Sequence, residues 1–166
     1  MGRNSWITIL ILFFLGSVSA QNKDQFTLGK IGLGQGSAKV LRVLGPPAQK
    51  GELVEEPATG EIVERWSYPD LGLEIDMSSA QEKTGLTVYR IYAEEPCDFR
   101  GYRGVNIGAF AVEIQALARE LERDSKVEVS RSEESYGFLW TEEYQMLSLT
   151  LENGKISEIY LGPGPE

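Results

Sequence analysis

The 166-residue chain contains no histidine and a single cysteine, Cys97. Without histidine there is no Ser-His-Asp or Cys-His catalytic pair, no imidazole general base and no histidine-ligated zinc. One cysteine excludes an intrachain disulfide and any cysteine-cluster metal site. Sixteen basic residues stand against 25 acidic ones, a formal charge of −9, so the basic stripe that nucleic acid requires is missing. No D-x-D-x-D-G run exists for calcium. The stretch Gly32–Gly36 (GLGQG) lacks both the Lys-Ser/Thr of a P-loop and the third glycine of a dinucleotide fingerprint, and is read as a tight entry to a helix. A non-enzymatic chain with neither cofactor nor metal is expected.

Long apolar runs are also scarce. The only one lies at the N-terminus, where Arg3 precedes the run Ile7–Leu15, followed by Gly16 and the small-residue sequence Val18-Ser19-Ala20. That three-part layout is the pattern of a secretory signal peptide over residues 1–20. The run is shorter than the ~20 residues of a spanning helix, so an exported protein, periplasmic or secreted, with no stable membrane insertion after cleavage is expected. The remaining chain, about 150 residues, suffices for one packed core without disulfides.

What the chain does have is internal correspondence. Gly34 and Gly108 lie 74 residues apart, as do Trp66 and Trp140. At the same offset Val40 matches Ile114, Leu73 matches Leu147 and Ile75 matches Leu149. After a six-residue gap the register resumes, with Val88–Tyr92 against Ile156–Tyr160. The division that follows is a tail at 21–27, a first repeat at 28–96 and a second at 97–166.

Each half opens with a helix. Ser37 is read as the N-cap of the first, with Val40, Leu41 and Leu44 as its inner stripe and Gly45-Pro46-Pro47 as its stop. Phe110, Ile114, Leu117 and Leu121 form the stripe of the second, over 109–123. Strands are expected at 61–68, 71–77, 136–141 and 144–151, with weaker ones at 52–55 and 126–130, and Asn153-Gly154 marks a type I′ hairpin turn. The fold class expected is α+β: two tandem helix-plus-antiparallel-meander units forming one sheet, with the helices packed on one face.

The first unit reads G-x5-V-x3-LG-x-P and then W-S-Y, carried by Gly34, Val40, Leu44-Gly45-Pro46-Pro47 and Trp66-Ser67-Tyr68. It resembles the SmpA/OmlA (BamE-like) outer-membrane-associated domains of bacteria. The tandem arrangement resembles the beta-lactamase inhibitory protein architecture, in which two such units share a sheet. The resemblance covers roughly residues 28–162; the second unit keeps Gly108, Ile114 and Trp140 but has Ala118-Arg119 at the helix stop. It implies a scaffold, and fold alone does not carry activity.

Gly34, Trp66, Gly108 and Trp140 are read as structural anchors. The candidate binding residues are Val88, Tyr92, Ile156 and Tyr160, placed opposite the helix-facing Ile91 and Ile159, together with Tyr144 and Met146 on the outward parity of their strand. Tyrosine and methionine on one sheet face are typical of interface centres, so another protein is the expected partner. The glutamate pairs 55-56, 94-95, 133-134 and 142-143 point to opposite faces within each pair and are read as solvated acid. Cys97 is expected to be buried and free. The alternatives are a structural component of the cell envelope and, from a different class, a carboxylate-based hydrolase.

Overall fold

The computed structural model describes residues 26–57, 59–80 and 85–165. The leader over 1–20 lies outside the described residues. The described residues begin with a small hairpin, β1 (Thr27–Leu28) and β2 (Ile31–Gly32), and then form α1 (Ser37–Leu44). Four antiparallel strands follow: β3 (Gln49–Glu55), β4 (Ile62–Tyr68), β5 (Leu73–Ser79) and β6 (Thr87–Glu94). A second helix, α2 (Ala111–Leu121), precedes four more: β7 (Val127–Arg131), β8 (Ser135–Trp140), β9 (Gln145–Glu152) and β10 (Lys155–Pro163).

All eight join one antiparallel sheet in the order β3-β4-β5-β6-β10-β9-β8-β7. Each set of four is a meander, and the two meet at their last strands, β6 and β10, across Tyr92↔Tyr160 and Leu161↔Ile91. The chain is a mixed α/β fold with one large antiparallel sheet and two helices.

Alternation decides which side of the sheet is dry. Trp66, Ile75, Ile91, Leu161, Leu147 and Phe138 are linked in one cross-strand row, and all are buried. Val40 of α1 and Ile114, Leu117, Ala118 and Leu121 of α2 belong to the same apolar cluster. Trp66 and Trp140 both lie in it, and Phe26 and Tyr102 each meet Trp140 edge-on at 5.3 Å between ring centroids. Cys97 is buried and free.

The helix ends differ in detail from the sequence pattern. Gly36, not Ser37, is the residue before α1, and no side chain caps it. Ser37 N–H donates instead to Leu86 O at 2.9 Å, so the helix starts from a backbone bridge to β6. Leu41 is 41% exposed. It stands about 100° around the helix from Val40, and an eight-residue helix buries only the narrow stripe containing Val40, with Val43 and Leu44 at its margin. Phe110 is also outside the core, at 54% exposure. Its neighbours are tied to the β9–β10 hairpin, Ala109 O accepting from Ile156 N–H and Ala111 N–H donating to Gly154 O, which keeps Phe110 extended and delays the helix to Ala111. The ring rests under the Lys155 ammonium at 5.0 Å.

The strand expected from Leu71 begins at Leu73, because Pro69–Leu71 forms a 3-10 turn. Gly72 ends that turn at φ 59°, and a Cβ there would lie 2.2 Å from Glu94 O. Asn153 and Gly154, at φ 53° and 74°, make the two-residue turn joining β9 to β10.

Val88 and Ile156 do not face outward with the tyrosines. They are 2% and 1% exposed and pack in the core. The cause is a pair of β-bulges. The β5–β6 register passes from Asp76↔Arg90 to Met77↔Val88, leaving Tyr89 as the extra residue. The β9–β10 register passes from Ile156↔Leu151 to Glu158↔Thr150, leaving Ser157 extra. One inserted residue reverses the side on which all preceding residues point. The spacing of three in Val88/Ile91 and Ile156/Ile159 therefore records two inward residues on either side of a bulge.

Candidate functional site on the open sheet face

Opposite the core, the same registers lay out a second surface. Ser67, Glu74, Tyr92, Tyr160, Ser148 and Gly137 form one row across six strands. One step along lies the row Arg65, Asp76, Arg90; on the other side of the tyrosines lie Glu94, Glu158 and Thr150. Except for Arg65, Asp76 and Gly137, these residues line a groove of about 1230 Å³, together with the β3–β4 connection at Glu56 and Thr59 and the β8–β9 turn at Glu143 and Tyr144.

Tyr92 and Tyr160 occupy its centre, their rings 5.3 Å apart and tilted by 55°. Both are half-buried. Tyr160 folds back over Gly162, donating from its hydroxyl to Pro163 O at 2.9 Å; a Cβ on Gly162 would stand 2.6 Å from that hydroxyl oxygen. Burial pushes the Tyr160 phenol up to about 12, with the neighbouring Tyr92 adding to the effect. Burial also raises the Tyr92 phenol, aided by the nearby Asp76 charge. Neither ring is poised to ionise near neutral pH, so both act as neutral surfaces and hydrogen-bonding groups.

Asp76 is the unexpected member. Strand parity places it outward, yet it is only 2% exposed. Arg65 covers it, with Nε at 2.7 Å from Oδ1 and Nη2 at 3.1 Å from Oδ2. The same guanidinium reaches Glu74 at 3.1 Å and lies 5.2 Å from the Tyr92 ring centroid. The hydrogen bond to Asp76 raises the Arg65 pKa further above its ordinary value. Arg90 joins Glu56 at 2.9 Å and approaches Asp76 at 3.8 Å, while covering Tyr89 at 4.5 Å. Through Glu56, Glu74 and Arg90 this network borders the groove.

Of the six sequence candidates, Tyr92, Tyr144, Met146 and Tyr160 all line the groove. Tyr144 sits in the turn before β9 at φ 54° rather than in the strand, and its hydroxyl donates to Pro165 O. Val88 and Ile156 are on the opposite side. Gly34 and Gly108 adopt φ 74° and 80° and donate to Val88 O and Ile156 O, each at 2.8 Å. The Arg65–Asp76–Arg90 network escaped the sequence pattern. Its only trace was a basic residue at outward positions in both β4 and β6 flanking an outward aspartate in β5. Of the glutamate pairs, Glu56, Glu94 and Glu143 line the groove while Glu55, Glu95 and Glu142 do not.

Among the described residues, no three His, Cys, Asp or Glu side chains are grouped so as to hold a metal ion, and no helix is long and apolar enough to cross a membrane. No protein-family model, curated protein or solved structure matches the chain.

Proposed function

We propose that this protein is a non-enzymatic binding module that docks a partner protein on the open face of its sheet. The observation that carries the proposal is the groove of about 1230 Å³ centred on the Tyr92–Tyr160 pair. Tyrosine supplies large contact area at low entropic cost, and a rigid sheet with an ion-paired wall is preorganised for docking. The carboxylates in and beside the groove serve the scaffold in part, since both oxygens of Asp76 and one of Glu74 are engaged by Arg65. That arrangement favours binding over carboxylate-based hydrolysis.

The scaffold reading is a tandem duplication of the SmpA/OmlA-like, beta-lactamase inhibitory protein-like kind. It is supported by the sequence offset, the sheet order in which two meanders run outward from a shared centre, and the bulges at Tyr89 and Ser157 at equivalent positions. The paired bonds Gly34 N–H to Val88 O and Gly108 N–H to Ile156 O add to it. The layout of residues 1–20 supports export to the periplasm or beyond.

A photo-crosslinking residue at Ser148, on the groove floor, tests the docking reading against the same residue at Glu113 on α2. A protein trapped from the source cells through position 148 and not through 113, and lost with Tyr92→Ala/Tyr160→Ala, is the expected result. Equal trapping at both positions, or none at 148, overturns it.

A further inference from the structure

The charges around the groove are unequal. Five carboxylates line it, Glu56, Glu74, Glu94, Glu143 and Glu158, against the Arg90 guanidinium, with Arg65 at the margin bound to Glu74 and lying over the Tyr92 ring. Arg90 is already committed to Glu56 and Asp76. The imbalance is sharpest at the seam between the two meanders, where Glu94 and Glu158 are direct cross-strand partners on the open face. Like charges in that relation destabilise a sheet, and an opposite pair would stabilise it. Thr150 Oγ1 donates to Glu158 at 3.2 Å and helps orient that carboxylate. The next residues outward on the same face are Tyr92 and Tyr160, whose π faces attract cations.

We propose that the groove receives a lysine- or arginine-bearing segment of a partner protein, with one cationic side chain seated between Glu94 and Glu158 and against the Tyr92–Tyr160 pair. The proposal rests on the docking reading above and names the chemistry of its occupant. A cation there converts a repulsive pair into an attractive triad, so the cost of the like-charge contact in the free protein is recovered only on binding. An acidic segment would add to the like charge of Glu94 and Glu158, and a neutral one would leave their repulsion in place. The net charge of −9 steers a basic partner toward the chain from a distance.

The test is fluorescence anisotropy of labelled oligolysine and oligoarginine, with an oligoglutamate and a Gly/Ser peptide of equal length, at physiological ionic strength. Basic peptides bind and the other two do not. Glu94→Gln/Glu158→Gln weakens binding roughly tenfold, equivalent to about 1.4 kcal/mol. Glu113→Gln/Glu133→Gln, which changes the net charge equally but far from the groove, alters it by less than about twofold. Circular dichroism confirms that each variant is folded, and Tyr92→Leu/Tyr160→Leu supplies a second, charge-neutral variant with the same expected loss. Equal losses from both glutamine pairs, or no binding of either basic peptide, overturns the proposal. If position 148 then still traps a protein as described above, the docking reading stands and only the cationic occupant falls.

Discussion

Asp76→Asn asks whether the buried carboxylate on the open face holds the groove wall together. The substitution keeps the volume and removes the charge that Arg65 meets with two hydrogen bonds, at 2.7 and 3.1 Å. A hydrogen bond to a charged group contributes about 1.5–3 kcal/mol, and breaking a fully buried pair costs about 3–5 kcal/mol. Two facts reduce that figure here. The Arg65 side chain is 49% exposed and can recover water, and it retains Glu74 at 3.1 Å. Arg90 likewise retains Glu56. The expected destabilisation is therefore about 2 kcal/mol, between a buried pair and a surface one. For a chain of this size that lowers Tm by about 4–8 °C. Urea titration and calorimetry measure both quantities, and a cycle with Arg65→Met isolates the pairwise part as a coupling of about 1–2 kcal/mol. Glu142→Gln, which removes the exposed partner of Lys126, is the reference and leaves Tm unchanged. A loss below about 0.5 kcal/mol for Asp76→Asn would place Asp76 with the surface pairs and refute the reasoning.

Three further expectations concern the core, the turn and pH. Val88→Asp and Ile156→Asp each prevent folding, because both sites are almost fully buried, whereas Tyr92→Ser leaves the chain folded; soluble yield and circular dichroism distinguish these outcomes. Gly72→Ala destabilises by more than about 3 kcal/mol, since a Cβ at φ 59° would lie 2.2 Å from Glu94 O and 2.7 Å from Cys97 N; a melt within 2 °C of the parent, equivalent to roughly 1 kcal/mol or less, contradicts this. Tyr160 ionises near 10 in the unfolded chain but only at about 12 in the folded one. Its contribution to stability is thus complete below pH 10 and is lost as pH rises toward 12, by about 1 kcal/mol once the solvent screening of a half-buried phenol is allowed for. Urea titrations across that window show a smaller loss in Tyr160→Phe.

Much of the architecture was legible because it rests on local periodicity. Alternation in Leu73–Met77 and Leu147–Leu151, the spacing of Ile114, Leu117 and Leu121 in α2 and the Asn153-Gly154 turn each state their structure within a few residues. The places where pattern and structure part share one cause, namely that a distant backbone partner intervenes. Phe110 belongs to the helix by spacing, but its neighbours are tied to the β9–β10 hairpin. Val88 and Ile156 belong outside by counting from Tyr92 and Tyr160, but the bulges at Tyr89 and Ser157 shift the count. A bulge in a strand without glycine leaves no compositional mark. For the groove, Tyr92, Tyr144, Met146 and Tyr160 were visible as outward aromatic and sulfur side chains. The ion-paired wall was not, because Arg65, Asp76 and Arg90 come from three strands and their meeting depends on register.

Pairing β6 with β10 places the Tyr92–Tyr160 pair of the groove where strands from distant parts of the chain abut. Neither meander owns it. During synthesis the chain must complete residue 163, the end of β10, before β6 gains its second neighbour. Until then β6 is an open edge carrying Val88, Ile91 and Ala93, a template for unwanted pairing. The long sequence separation between the two strands makes this closure one of the later and slower steps of folding. The groove is therefore complete only once β10 has been made, and a copy truncated before it would offer a sticky margin in place of the closed seam.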